Sequence, residues 1–293
     1  MTDLILVDGH ALAYRAYFGV KNPMMSPGGV PVNGVYGFGR MLIRIIEGSR
    51  AREGAVVFDS PGPSFRKWLY PPYKANRPIP PEDFIAQLPL MMDLSRSLGI
   101  KVLSDSAFEA DDMIAAAAVR EAERGKGVVI VTPDKDLLQT LNEGDITIMR
   151  PAGRDTFTRM DASLFRDSFG FEPCHMAEYQ ALMGDRADNI PGVPGIGPVT
   201  ARSLVKSYGD LESLYGRISS VKGTLRGRLE RDRDSAFLSR ELARLRLDAP
   251  VPEDLFLEEP DREELVCFCE RNGLEVLAGT CSSFCTSATA GWR

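Results

Sequence analysis

The sequence predicts an α/β fold: a mostly parallel, doubly wound sheet followed by a helical C-terminal region. Three observations predict it. Short, continuously apolar runs carry the pattern of strands buried on both faces. They alternate with stretches of helical periodicity, which implies parallel strands joined by crossover helices. Beyond about Phe157 the strand pattern stops, and short helices broken by glycine take over.

Each element has its own signal. Leu4 to Val7 is an apolar strand ending at Asp8. Asn33 reads as an N-cap, after which Val35, Phe38, Met41, Leu42, Ile45 and Ile46 recur at helical spacing. Ala55 to Phe58 is a second strand, ending at Asp59. Gln87 to Leu98 reads as a helix closed by Gly99. The Ala-rich stretch from Ala110 to Arg124 is helical and stops at Gly125. Val128 to Val131 and Ile146 to Met149 are the third and fourth strands, the third leading into Thr132-Pro133-Asp134. Val251 to Pro260 is rich in proline and acids and reads as extended. Asp261 and Glu264 form a capping box for a last helix reaching about Asn272. The expected division is a core over 1–160, a helical region over 161–275, and a tail or linker over 276–293 with little core-forming pattern.

Composition narrows the class. The 293 residues are 44% hydrophobic and 26% charged, the balance of a globular chain of about two domains. The longest apolar run, Met113 to Val119, is far short of the roughly 20 residues that cross a bilayer. The N-terminus lacks a basic segment and a cleavage site, and five cysteines make an odd set for a disulfide framework. A soluble, cytoplasmic, monomeric protein is expected, with no membrane partner. Cys267, Cys269, Cys281 and Cys285 do not match the spacing of structural zinc sites and are expected to be free thiols.

The net charge of −6 argues against a nucleic-acid partner until its distribution is considered. From Ser64 to Arg77 there are cations (Arg66, Lys67, Lys74, Arg77) and no acid, interleaved with Phe65, Trp68, Tyr70 and Tyr73. Cations among aromatic rings suit a single nucleic-acid strand. A second basic run extends from Arg202 to Arg246.

The acids are concentrated elsewhere. Asp8, Asp59 and Asp134 each follow an apolar strand, at the end of an open sheet where ligands bind. Glu109-Ala-Asp111-Asp112 opens the Ala-rich helix, Asp136 follows Asp134, and Asp185 and Asp188 lie three apart, on one face of a helical turn. Nine carboxylates brought together would repel one another unless a cation joined them. An oxygen-only set suits Mg²⁺ or Mn²⁺ rather than zinc. Nine exceed the needs of one ion, and two or more ions about 4 Å apart are the natural reading.

The order of the motifs is itself specific. Asp8-Gly9-His10 with Arg15, then Asn33-Gly34-Val35-Tyr36-Gly37-Phe38, Val57-Phe58-Asp59, Phe65-Arg66, Tyr73-Lys74-Ala75-Asn76-Arg77, Glu109-Ala110-Asp111-Asp112, Thr132-Pro133-Asp134-Lys135-Asp136 and Gly184 to Gly192 follow one another, closed by Gly195-Ile196-Gly197 and Thr200-Ala201. This series resembles the bacterial 5′ nuclease family, the 5′→3′ exonuclease domain of DNA polymerase I and related flap endonucleases, over residues 3 to about 275. Trp68, Pro133 and Ala187 depart from the usual pattern, but none of these departures removes a carboxylate.

The resemblance implies a PIN-like core with an arch or clamp at about 63–97, and a helix–hairpin–helix at about 184–207 that grips duplex phosphates. It implies one Mg²⁺ held by Asp8, Asp59, Glu109 and Asp111 with Asp112 nearby, and a second held by Asp134, Asp136, Asp185 and Asp188. Lys74 and Arg77 would steer the scissile phosphate, with Arg15 as a further candidate. Arg66, Lys67 and Tyr73 would contact the single strand. Gly192, Gly195, Gly197, Thr200 and Arg202 would contact the duplex, with K⁺ as a candidate ion on the hairpin carbonyls. The implied activity is Mg²⁺-dependent 5′→3′ exonuclease and flap endonuclease cleavage of DNA, in primer removal and repair. DNA with a 5′ flap or end, an RNA primer and a DNA polymerase domain are the implied partners. The rival readings are a catalytically silent junction-binding protein and a related RNA-directed metal nuclease.

Overall fold

Apolar runs without polar interruption need partners on both faces, and the computed structural model supplies them. It describes residues 2–153 and 156–291, with side chains through Thr286. One sheet comprises β1 (Leu4–Asp8), β2 (Glu53–Val57), β3 (Lys101–Leu103), β4 (Val128–Val131), β5 (Ile146–Pro151) and β6 (Phe157–Met160). Their spatial order is β3-β2-β1-β4-β5-β6, parallel throughout except for the antiparallel β6.

The strand period of two divides the core. Leu4, Leu6, Ala55, Val57, Val128 and Ile130 face one layer, built on the Ala-rich α5 (Ala110–Glu123) and continuing into the C-terminal helices. Ile5, Val7, Val56, Val129 and Val131 face the other layer. That layer contains α1 (Gly9–Gly19), α2 (Asn33–Ser49) and α4 (Glu82–Ser97), with the short α3 (Phe65–Leu69) between α2 and α4 in the chain. The small side chains of Ala115, Ala117 and Ala118 are fully buried, which lets α5 lie close against the strands.

The second half is helical: α6 (Ala162–Phe169), α7 (Met176–Met183), α8 (Pro198–Tyr208), α9 (Leu211–Gly216), α10 (Gly223–Arg231) and α11 (Arg233–Ala243). The chain then returns to the sheet along 251–260, extended as expected. The Gly54 amide donates to the Leu255 carbonyl at 2.8 Å, Leu257 to Arg52 at 3.0 Å, and Glu258 to Gly99 at 2.8 Å. Asp261 caps α12 (Arg262–Asn272) by accepting the Glu264 amide at 2.9 Å.

Several expectations are corrected. Asn33 is not an N-cap but the first residue of α2, and its side chain donates to the Tyr17 and Val20 carbonyls at the end of α1. α4 starts five residues before Gln87 and tolerates Pro89 within it. β3 and β6 had no apolar run to announce them, because both are short edge strands. The expected tail is a helix, α13 (Glu275–Gly291), which packs on α2 with Leu277, Cys281, Phe284 and Cys285 buried. Its apolar residues are spaced by cysteine and alanine, so they read as weak. The end of the expected tail, 292–293, lies outside the described residues. The cysteines are free thiols, with Cys269, Cys281 and Cys285 buried and Cys174 and Cys267 exposed.

Candidate active site

The strand order reverses between β1 and β4, which opens a crevice at their carboxyl ends. Asp8 closes β1 and caps α1 at once. Its Oδ1 accepts the Ala11 amide at 2.9 Å, and its Oδ2 accepts the Thr132 hydroxyl at 2.8 Å from the end of β4. Asp59 follows β2, and its Oδ1 accepts the Ala110 amide at the start of α5 at 2.8 Å. The Asp59 amide donates to His10 Nδ1 at 3.1 Å, which fixes that nitrogen as an acceptor. Burial lowers the His10 pKa despite the nearby Asp59, so the neutral ring is favoured.

The carboxyls report one another's charge. Burial, then Asp59 and Asp134, push the Asp8 pKa up to about 6. Burial, then Asp134 and Asp8, push Asp111 well above the usual carboxylate range. Burial, then Asp134, with Asp188 adding to it, push Asp136 up to about 7, although Oδ1 of Asp136 accepts Gln180 Nε2 of α7 at 2.6 Å. Carboxylates from β1, β2, α5 and the β4 exit thus share one field. Asp134, expected beside Asp136, Asp185 and Asp188, also lies within the field of Asp8 and Asp111.

A second set of acids is paired with cations. Glu109 Oε2 receives Lys74 Nζ at 2.8 Å and the Tyr73 hydroxyl at 3.1 Å, and Oε1 receives the Ser64 hydroxyl at 2.6 Å. Burial raises the Glu109 pKa, but Lys74 and Arg66 more than reverse this and hold it at about 2. Burial acts to lower the Lys74 ammonium, and Glu109 and Asp188 more than reverse that. Arg77 pairs with Asp188, and Lys135 reaches Asp185 at 2.7 Å. Asp185 and Asp188 do not lie on a helix as expected. Asp185 opens, and Asp188 lies within, a turn closed by an antiparallel bridge between Asp185 and Ile190. Among the described residues no three His, Cys, Asp or Glu side chains converge closely enough, as they stand, to chelate an ion. The oxygen-only donors, the mutually raised pKa values and the borrowed lysine and arginine charges nevertheless fit hard divalent cations entering with their water shells.

Five expected site residues have partners other than those expected. Asp112 is fully buried, and both its oxygens accept from the Arg66 guanidinium at 2.7 Å. It also accepts the Arg246 amide at 2.9 Å and the Glu109 amide at 3.2 Å, so four donors occupy its two oxygens. Arg66, 2% exposed, cannot reach a nucleic acid; it also donates to the Leu242 and Arg244 carbonyls and so ties α3 to the end of α11. Tyr73 is buried with its hydroxyl on Glu109, a support for the acids rather than a base-stacking surface. Arg15 donates to the Gly153 carbonyl beyond β5, and no site carboxylate is its partner among the described residues. Lys67 is half-buried and donates to the Tyr73 carbonyl at 2.7 Å. Sequence reasoning assigned no role to Thr132, Lys135 or Gln180, which hold Asp8, Asp185 and Asp136. The placement of Lys135 between two acids was the one available signal.

The segment from α3 to the start of α4 exposes large apolar side chains. Trp68 is 77% and Ile79 90% exposed. Helices α7 and α8 are joined by the Gly184–Gly197 segment, where Gly192 has φ 65° and Gly195 has φ 82°. A side chain at Gly192 would collide with the backbone of Gly184. The Gly192 carbonyl accepts the Ser235 hydroxyl at 2.7 Å, and the Gly195 carbonyl accepts Arg228 Nη1 at 2.9 Å. These two carbonyls of the hairpin thus accept side chains of α10 and α11. Pro198 starts α8, whose first-turn amides lack helical partners. Gly197, Val199 and Arg202 there are exposed, and Thr200 is half-buried.

Residues 3–170 match the family described as 5′-3′ exonuclease, N-terminal resolvase-like domain, and residues 171–263 match 5′-3′ exonuclease, C-terminal SAM fold. The thermostable DNA polymerase I of Thermus thermophilus is 40% identical over 272 residues, covering 92% of this chain. The chain spans 32% of that relative's length. Among solved structures, the T5 5′-exonuclease with bound zinc gives a TM-score of 0.68 at 18% identity, covering 97% of this chain and 99% of that one. The catalytic core of Rad2 in complex with DNA substrate gives 0.64 at 19% identity, covering 97% and 91%. These two structures speak for the shared fold. With both family descriptions meeting end to end across most of its length, the chain belongs to the 5′-3′ exonuclease family.

Proposed function

We propose that this chain is a divalent-metal-dependent 5′→3′ exonuclease and flap endonuclease that hydrolyses DNA phosphodiesters where a 5′ single strand meets a duplex. One observation carries the reading: Asp8, Asp111 and Asp136 come from different parts of the chain to one crevice, where burial first and the neighbouring carboxylates after it push their pKa values up. A protein that only bound junctions would gain nothing from that repulsion, and neither would a plain α/β scaffold. The 5′ nuclease relatives named above, and a DNA complex among them, support the substrate class.

Two Mg²⁺ ions, with Mn²⁺ as a substitute, are the proposed cofactors, held by Asp8, Asp59, Glu109 and Asp111 on one side and by Asp134, Asp136, Asp185 and Asp188 on the other. When bound, they would supply a hydroxide nucleophile at neutral pH and neutralise charge on the phosphate. The protein's own residues do the rest. Lys74 and Arg77 lie beside the acids at the cleft and can turn from Glu109 and Asp188 to the scissile phosphate. Thr132 and the Ala11 amide fix Asp8, and the Ala110 amide fixes Asp59, so that the carboxylates hold their places without reorganisation. Exposed Trp68 and Ile79 offer apolar surface to the single strand. The amides at the start of α8, with Arg202, offer donors to duplex phosphates, the role proposed for the helix–hairpin–helix at 184–207.

Removal of RNA primers, work beside a DNA polymerase domain and a monomeric state complete the proposal. No helix among the described residues is long and apolar enough to cross a membrane. The test is a 5′-labelled flap duplex incubated with Mg²⁺ or with chelator. Cutting only with the ion is expected. Cutting that ignores chelator, or no cutting, would reject the reading.

A further inference from the structure

Helix α7 is buried from Met176 to Leu182, and it carries two polar side chains into that setting. Glu178 faces Arg240 and Arg244 and accepts the Leu211 amide, so it belongs to the packing of the helical region. Gln180 is fully buried, and its Nε2 donates to Asp136 Oδ1 at 2.6 Å, where α7 packs on the 3₁₀ helix Asp136–Asn142. The other end of the amide is poorly served. Gln180 Oε1 is buried and has no hydrogen-bond partner among the described residues. A buried acceptor without a partner costs stability. Turning the amide round would set Oε1 against a carboxylate oxygen, acceptor against acceptor. A leucine would fill much the same space without that cost, so what the amide contributes here is the bond to Asp136.

We propose that Gln180 is a positioning residue, which holds the Asp136 carboxylate in place for a divalent cation without spending the carboxylate's charge. Other acids of the crevice are held differently. Glu109 is paired with Lys74, Asp188 with Arg77 and Asp185 with Lys135. Each of those cations offsets the charge that would attract an ion, and stands beside the acid as a like charge to the ion itself. A primary amide is neutral. It orients the carboxylate through one N–H and occupies one of the two oxygens. The grip also carries further, because the Asp136 amide donates to Asp134 Oδ1 at 2.9 Å. Gln180 thus steadies two neighbouring carboxylates from a helix that supplies none of the proposed ligands. This inference rests on the metal-dependent reading proposed above.

The test reads Mn²⁺ binding to the DNA-free protein by electron paramagnetic resonance. Gln180→Leu, which removes the donor and the unpartnered oxygen together, should raise the Mn²⁺ dissociation constant at least about fivefold. Gln180→Met keeps the length of the side chain without the donor; it should behave alike, and it carries the test if the leucine variant does not fold. Unchanged Mn²⁺ affinity in either folded variant would overturn the proposal, whatever its thermal midpoint, and leave Gln180 a packing residue. A double-mutant cycle asks whether the effect passes through Asp136. In an Asp136→Asn background, Gln180→Leu should change Mn²⁺ affinity by no more than about twofold. A full loss repeated in that background would overturn the positioning role. Flap cleavage by Gln180→Leu should need about fivefold more Mg²⁺ to reach half its maximal rate. A rate that no concentration of Mg²⁺ restores would place Gln180 in the chemical step instead. If the unmodified chain binds no Mn²⁺, the metal-dependent reading fails and this inference fails with it. Full affinity in the Gln180 variants would sink this inference alone.

Discussion

Arg66 and Asp112 face each other fork to fork, both contacts 2.7 Å long, beneath the crevice and out of reach of water. Asp112 is the immediate neighbour of Asp111, yet the two carboxylates do different work. Removing one partner of a buried pair leaves an uncompensated charge. Asp112→Asn should therefore cost about 3 kcal/mol of stability or more in urea denaturation. The affinity for Mg²⁺ of whatever folds should stay near that of the unmodified chain. A stable variant that has lost the metal would return Asp112 to the ligand set.

Asp111→Asn should do the opposite. Asp111 is crowded by Asp134 and Asp8, so making it neutral relieves repulsion in the metal-free protein. The thermal midpoint in chelator should rise, while single-turnover cleavage of a flap substrate falls at least about a hundredfold, roughly 2.7 kcal/mol in barrier. Junction binding should survive. Normal cleavage by this variant would remove Asp111 from the chemistry.

Lys74 lies between Glu109 and Asp188, and its own amide donates to the Asp188 carbonyl at 2.9 Å. Lys74→Ala should slow the cleavage step at least tenfold, about 1.4 kcal/mol in barrier. A normal single-turnover rate would confine Lys74 to holding Glu109 in the metal-free state.

The pH dependence follows from the raised carboxyls. A carboxyl whose folded pKa exceeds its unfolded value contributes stability below the unfolded value and loses it as pH rises through the folded one. For Asp8, raised from 3.8 to about 6, and for Asp136, raised to about 7, that window runs from about pH 4 to 7. Asp8 alone accounts for about 3 kcal/mol across it. In chelator the protein should lose stability from about pH 4 to 7. Mg²⁺ should raise the thermal midpoint more at pH 8 than at 5.5, because at the lower pH protons already neutralise the cluster. An equal rise at both would mean that the ions bind elsewhere.

What the sequence made legible, and what it hid, divide along burial. Leu4 to Val7 reads as a strand because every side chain is apolar and every one is buried. The acids that end such strands are placed by the strands, which is why Asp8, Asp59 and Asp134 could be brought to one rim on paper. Charge without burial information misleads. Arg66 looks like a phosphate contact because most arginines face water, and nothing local announces that Asp112 will draw it inside. Successive helical residues differ by about 100° around the axis, so Asp111 and Asp112 look equivalent in a row of letters and point to different environments. α13 was illegible for a related reason. Its cysteines and alanines carry little apolar signal until α2 is seen beneath them.

The return of the chain along 251–260 changes what the second half can do. Everything from α6 to α11 leaves the sheet after β6 and is brought back to β2 by the Leu255 and Leu257 hydrogen bonds, before α12 packs on α4 and α13 on α2. The helical half is therefore a closed bight moored at both ends, not a pendant hung from one. Both of its ends are tied to the sheet, so the separation between the proposed duplex grip at α8 and the carboxylates proposed to cut the strand is set by the path of the polypeptide.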